Sequence, residues 1–192
     1  MSVDLREKII IEAANRFVAS GYHAVSMREI AEASGASKAA IYYHFADKEA
    51  LLLAIMEQSL TQLIGIVQRA SSAQSDTISQ LTAIVEGLLG LNAVQRSAMR
   101  LAMFELQHLG ETERRNFAMR YDREFIERIR AILRAGQASG IIRMVDVQAS
   151  TWVLLGILYP FSVAQGRGHD TDQLSRTLVD LFLHGISTQK PG

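Results

Sequence analysis

Lys38, Tyr42, Tyr43 and His44 crowd one short stretch of the chain. An ammonium, two phenols and an imidazole donate hydrogen bonds to anionic oxygen, which is the chemistry of a phosphate contact. Ala39 between them is small enough for the backbone to come close to a partner. Arg28 adds a guanidinium, a rigid fork of N–H donors. Lys48 belongs to the same set for a different reason. It stands in the first turn of a predicted helix, where its charge opposes the helix dipole. A phosphate bound there would remove the conflict.

A catalytic reading has less to work with. Glu105 and His108 form a Glu-x-x-His pair, as in di-metal helical bundles, but such a site needs two of these pairs and two further glutamates, and the chain offers one. There is no cysteine, which removes disulfides, thiolate metal sites and cysteine nucleophiles together. No Ser-His-Asp arrangement and no phosphate-cradling glycine loop stands out. The chain is therefore not expected to be an enzyme, and neither a metal nor a cofactor is expected.

The elements that must hold these side chains follow from local signals. Ser26 with Glu29 three residues on is a capping box, and Val25 with Ile30 is spaced as a hydrophobic staple. Ile30 and Ala31 face inward, with Ala31 small enough for a second helix to cross closely. Gly35 can take positive φ and stop that helix. Ser37 caps a second helix, too short to stand alone, which Ile41 and Phe45 anchor by an inward stripe. Asp47 caps the next. Two short helices about a glycine turn describe a helix-turn-helix, with Ser26 and Ser37 at the N-termini that approach the duplex. The same signals also fit a generic helical hairpin.

Residues 9–52 resemble the DNA-binding region of the tetracycline-repressor (TetR) family. The resemblance rests on Ile10, Ala13, Phe17, Gly21 and Tyr22, on the Ser26-Met27-Arg28-Glu29-Ile30-Ala31 run, on residues 35–45, and on Lys48-Glu49-Ala50-Leu51. It covers about a quarter of the chain. It implies a three-helix DNA-binding head, then a variable all-helical body that dimerises and usually holds an inducer. Arg28 and the start of the second helix (residues 38–40) would face base edges. Tyr42, Tyr43, His44 and Lys48 would lie near phosphates. Ala36 and Ala40 stand where bulkier residues or glycine are common, which leaves few side chains to read bases.

Charge argues the other way. The chain of 192 residues has a net charge of zero, whereas a nucleic-acid domain often carries a basic footprint. Within residues 1–50, Arg6, Lys8, Arg16, Arg28, Lys38 and Lys48 face Asp4, Glu7, Glu12, Glu29, Glu32, Asp47 and Glu49, so the head is slightly acidic. Binding then depends on placement, and the salt dependence should be shallow for a DNA reader. The length fits one or two domains. No signal peptide is visible, the apolar run 152–164 is too short to span a bilayer, and a cytoplasmic location without membrane contact is the simplest reading.

Every segment reads as helix: 5–20, then 48–69, 76–91, 94–109, a long charged one over 111–138, then 146–165 and 171–186. A loop is expected over 71–75 and a turn over 166–169. With the head this makes an all-α fold of about nine helices, divided into residues 1–47 and 48–192. The segment 152–159 is apolar around its whole circumference, so it should not be half-exposed in a monomer. The last helix carries two stripes, Leu174, Leu178, Leu181 and Gly185, and Val179, Phe182 and Ile186. One should pack on its own body and the other on a second subunit, giving a homodimer whose interface includes Gly156, Leu174, Leu178, Leu181 and Phe182. Met99, Met103, Phe104, His108, Phe117, Tyr121, Trp152 and Tyr159 are soft or aromatic residues able to line an apolar pocket. They are equally suited to ordinary core. The body also resembles regulators that sense fatty acyl or acyl-CoA compounds, with another hydrophobic metabolite as the alternative.

These readings converge on a regulator, most simply a repressor. It would bind a palindromic double-stranded operator as a dimer and be released by a small hydrophobic effector. A bundle enzyme and an inducer-independent DNA-binding protein are the alternatives.

Overall fold

The computed structural model describes residues 4–73, 76–163 and 171–186. Its elements are α1 (Leu5–Ser20), α2 (Met27–Ser34), α3 (Lys38–His44), α4 (Lys48–Ala73), α5 (Thr77–Leu89), α6 (Ala93–Phe104), a 3-10 turn (Leu106–His108), α7 (Glu111–Tyr121), a π turn (Asp122–Ile126), α8 (Glu127–Ala138), α9 (Val147–Val163) and α10 (Thr171–Ile186). The fold is all-α. Helix α4 runs through the first part of the expected 71–75 loop, and the turn expected over 166–169 lies outside the described residues. The helix expected over 94–109 ends earlier, with α6 giving way at Glu105 to the 3-10 turn.

The chain forms two compact units. The first contains the residues up to Thr61 together with Asn92–Ala118; the second contains Gln62–Leu91 and the residues from Met119 onward.

In the first unit α1 packs on α2 and α6, and α2 packs on α3. Ile9, Ala13, Phe17, Ile30, Ile41, Leu51, Leu52 and Ile55 are fully buried there. These residues recur at helical spacing on their own segments, so each helix offers one apolar face to a common core.

In the second unit α5 packs on α8, α9 and α10, and α9 packs on both α8 and α10. Gly87 lets α5 approach α4 closely, since a Cβ there would lie 2.5 Å from Ile66 Cγ2. The π turn joins α7 to α8 without a break in helical backbone. Steps of four residues drift around an α-helix of 3.6 residues per turn. A wider i→i+5 turn reduces that drift, and Phe125, Ile129 and Leu133 all stay buried.

Helix α4, rather than the apolar run over 152–164, is long and apolar enough to cross a membrane by length and composition. More than half of its apolar window is buried. Leu51, Leu52, Ile55 and Met56 serve the core of the first unit and Leu63, Ile64, Ile66 and Val67 that of the second.

Candidate nucleic-acid interface

The capping box at α2 is complete. The Glu29 N–H donates to Ser26 Oγ at 3.2 Å, while the Ser26 N–H and hydroxyl both donate to Glu29 Oε2 at 2.7 Å. Those bonds favour the charged carboxylate and hold Glu29 below the usual glutamate range, the Ser26 hydroxyl being the largest cause. At the other end Gly35 sits at φ 71°, and the Ala36 N–H reaches back to the Ala31 carbonyl at 2.8 Å. This is a Schellman-type stop, which needs the left-handed conformation that glycine adopts at little cost. Ser37 then accepts from the Ala40 N–H at 3.1 Å and starts α3 in a new direction.

Ile41 and Phe45 are buried and fix the rotation of α3. That rotation leaves Lys38, Ala39, Tyr42 and Tyr43 exposed, Tyr43 at 86%. His44 is half-buried and meets the Tyr43 ring edge-on at 5.3 Å. Ser26, Arg28 and Ser37 are also exposed. Arg28 is not a free cation, because its Nε donates to Glu32 Oε1 at 2.8 Å, and that bond raises its pKa further.

Lys48 has partners that spacing did not reveal. Its Nζ donates to the carbonyls of Tyr22 and Val25 at 3.0 Å each and lies 3.5 Å from that of His23. It also sits 4.5 Å from the centre of the Tyr22 ring. An ammonium has three donors, and three carbonyls of the α1–α2 connection meet them. Lys48 is thus engaged by the head's own backbone rather than standing open to a phosphate.

Beyond Lys48 the contacts run on to the α6–α7 corner of the same unit. Tyr22 stacks on His108 at 4.9 Å, and His23 meets His108 edge-on at 4.3 Å. His108 Nε2 lies 3.0 Å from Glu105 Oε2. Glu49 accepts from the Gly110 N–H at 2.6 Å. Burial, then the nearby Glu49, Asp47 and Glu105, raise the Tyr22 pKa. The Glu105–His108 pair therefore has an aromatic partner in the head. Among the described residues no three metal-ligating side chains gather at one point.

The residues expected to line an effector pocket divide between the units. Met99, Met103, Phe104, His108 and Phe117 lie in the first, and Tyr121, Trp152 and Tyr159 in the second. Phe117 is buried, whereas Met103, Phe104 and Trp152 are exposed. Tyr121 is held in a poorly solvated position that pushes its phenol up to about 12, burial being the main cause. Of the residues expected at a dimer interface, Leu178 and Phe182 are already covered by their own unit, because α10 lies on α5 and α9 and that face points inward. Leu174 is half-buried, Leu181 is 61% exposed, and Gly156 has nothing within 4 Å of where a Cβ would stand. Trp152 and Val153 are exposed on α9.

Two short helices set by serine caps about a left-handed glycine, with polar side chains on the outer face of the second, define a helix-turn-helix DNA-binding protein. The pattern of the bacterial regulatory proteins of the tetR family matches residues 9–55, and that of the tetracyclin repressor-like C-terminal domain matches residues 74–186. The chain belongs to the TetR family of transcription regulators. It is 25% identical over 191 residues to the HTH-type transcriptional repressor KstR2 of Rhodococcus jostii, covering 95% of this chain and 91% of that one. It is 33% identical over 108 residues to the HTH-type transcriptional activator FasR of Mycolicibacterium smegmatis, covering 56% of this chain but only 49% of the activator. To the fatty acid metabolism regulator protein of Bacillus subtilis it is 23% identical over 182 residues, covering 92% and 93%.

Proposed function

We propose that the chain is a repressor that binds a palindromic operator as a homodimer and leaves it when a small hydrophobic effector binds. The observation that carries this reading is the outer face of α3. Its capped start and buried Ile41 and Phe45 leave Lys38, Ala39, Tyr42 and Tyr43 as the only α3 side chains fully in the open. A helix of this kind enters the major groove by its N-terminal residues. Lys38 and a rearranged Arg28 would meet base edges, while Tyr42, Tyr43 and His44 would meet phosphates. Repression fits the similarity to KstR2 over nearly the whole chain, whereas the match to the activator FasR covers about half of each.

The effector class we favour is a fatty acyl compound, supported by the full-length likeness to a fatty acid metabolism regulator and by the soft residues Met99, Met103 and Phe104. Release requires that the effector bind one arrangement of the protein better than another. The α1–α2 connection is the element available to be moved, since Tyr22 and His23 rest on His108, and Lys48 at the head of α4 holds their carbonyls. An effector that displaced His108 would remove the stack that steadies α2.

Selection of bound duplex from a random pool tests the reading. It should return an inverted repeat whose half-sites lie about 34–36 Å apart. Lys38→Ala and Tyr42→Ala should each weaken binding to it, and a long-chain acyl-CoA should release it while a short-chain one does not. A pool with no enriched repeat, or two variants that bind like the parent, would remove the assignment.

A further inference from the structure

The cations of the head divide sharply by what holds them. Arg28 is paired with Glu32, and Lys48 is taken up by three backbone carbonyls. Arg16 is half-buried on α1, with its Nε enclosed. Lys8 is two residues from Arg6 on α1 and so projects from another face. Arg6 and Lys38 remain, both exposed and neither paired with a carboxylate among the described residues. Lys38 opens α3. Arg6 stands at the other end, its guanidinium 5.3 Å from the centre of the Phe45 ring that closes α3.

The ring beneath Arg6 is continuous with the reading surface. Phe45 lies 6.3 Å from His44, and His44 lies 5.3 Å from the exposed Tyr43. A guanidinium over a ring face has its N–H donors unused by that contact, and Arg6 is exposed, so they are open to a second partner. Helix α3 has seven residues, a length of about 10 Å at 1.5 Å per residue. A helix that enters the groove by its N-terminal residues leaves its C-terminal end nearer the bordering backbone, and that is the end where Arg6 stands.

We propose that Arg6 is a DNA-phosphate contact, clamped by Phe45 at the far end of the recognition helix from Lys38. The proposal rests on the DNA-binding reading above and adds to it a residue of α1. A dimer would make two such contacts. Each phosphate neutralised contributes about 0.9 to the slope of log affinity against log salt. Two contacts therefore account for about a tenfold loss of affinity between 50 and 200 mM salt.

The experiment uses the full chain and a duplex selected from a random pool, with affinity measured by fluorescence anisotropy at both salt concentrations. Arg6→Met keeps an apolar stem over Phe45 and removes the charge. It should bind more weakly at 50 mM and lose about tenfold less affinity than the parent on going to 200 mM. Arg6→Lys should restore the parent's salt dependence, and the preference for the selected duplex over a scrambled one should stay the same in both. A parental salt dependence in Arg6→Met would overturn the proposal, with or without a loss of thermal stability, because Arg6 would then act only by packing. If the parent retains no duplex at all, the DNA-binding reading falls and Arg6 falls with it. If the parent binds and Lys38→Ala weakens it while Arg6→Met does not, the Arg6 contact alone is wrong.

Discussion

Lys48 sits in the first turn of a helix, where the dipole disfavours a positive charge by a few tenths of a kcal/mol up to about 1 kcal/mol. Its three carbonyl partners outweigh that cost, since a hydrogen bond to a charged group contributes about 1.5–3 kcal/mol. Lys48→Met should therefore destabilise the protein by about 1.5–3 kcal/mol, read from the midpoint of urea unfolding. It should leave the salt dependence of DNA binding near that of the parent, whereas loss of a phosphate contact would flatten it. The capping carboxylates behave in the opposite sense to a buried charge. The Ser26 hydroxyl and N–H hold Glu29 below its ordinary pKa, and the Ser79 N–H and hydroxyl do the same for Asp76. With folded values lowered, the stability these caps contribute is whole above the ordinary carboxylate pKa of about 4. It is lost as pH falls through the lowered values. The thermal midpoint should drop as pH falls from about 5 through the lowered values, and Glu29→Gln should drop less steeply over the same range. A midpoint that rises with acid would contradict this assignment.

Caps and stops are written within a few residues of the helix ends they control, and this is why the α2–α3 pair was legible in the sequence. Ser26, Glu29, Gly35, Ser37 and Asp47 each act within three residues or at a single φ. The partners of Lys48 lie 23 to 26 residues away, and those of Arg6 and His108 are also remote, so no local pattern announced them. The π turn had only an indirect sign, a stripe at four-residue steps through Tyr121, Phe125, Ile129 and Leu133. The Asn92–Gln95 capping box is a local signal of the same kind as the caps, and it starts α6 at Ala93 rather than the expected residue 94. Gly87 belongs with the remote features, since its role is set by Ile66 on another helix. A methyl group at Gly87 would meet Ile66 Cγ2 at 2.5 Å and Cγ1 at 3.3 Å. Isoleucine in a helix has one strongly preferred χ1 and cannot turn aside. Gly87→Ala should thus lower stability by about 1–3 kcal/mol from overpacking, offset by up to about 1 kcal/mol of improved helix propensity. Denaturant unfolding should record a net loss, and a net gain would mean that α5 shifts freely away from α4.

The chain has zero net charge, and the proposed pairing of two heads would double the few phosphate contacts each head can make. The two stripes of α10 could not be assigned from spacing, because both are apolar and only packing against α5 and α9 chooses between them. That packing takes Leu178, Val179 and Phe182 and leaves Leu181 outward, and Trp152 and Val153 are exposed on α9. Exposed apolar side chains mark interaction sites where they form a patch, and Leu181 is an exposed one on α10. In a two-fold dimer such a surface meets its own copy, so a charge placed near the axis faces the same charge. Leu181→Glu should therefore convert a dimer into a monomer in sedimentation at micromolar concentration. Its effect on the protomer itself should be small, within about 0.5 kcal/mol, because Leu181 is a surface residue there. Operator affinity should fall by at least about 100-fold, since each head would bind a half-site without the other's effective concentration. Trp152→Glu should act alike if α9 shares the interface. A Leu181→Glu protein that sediments as a dimer and keeps its operator would place the contact between subunits on another face.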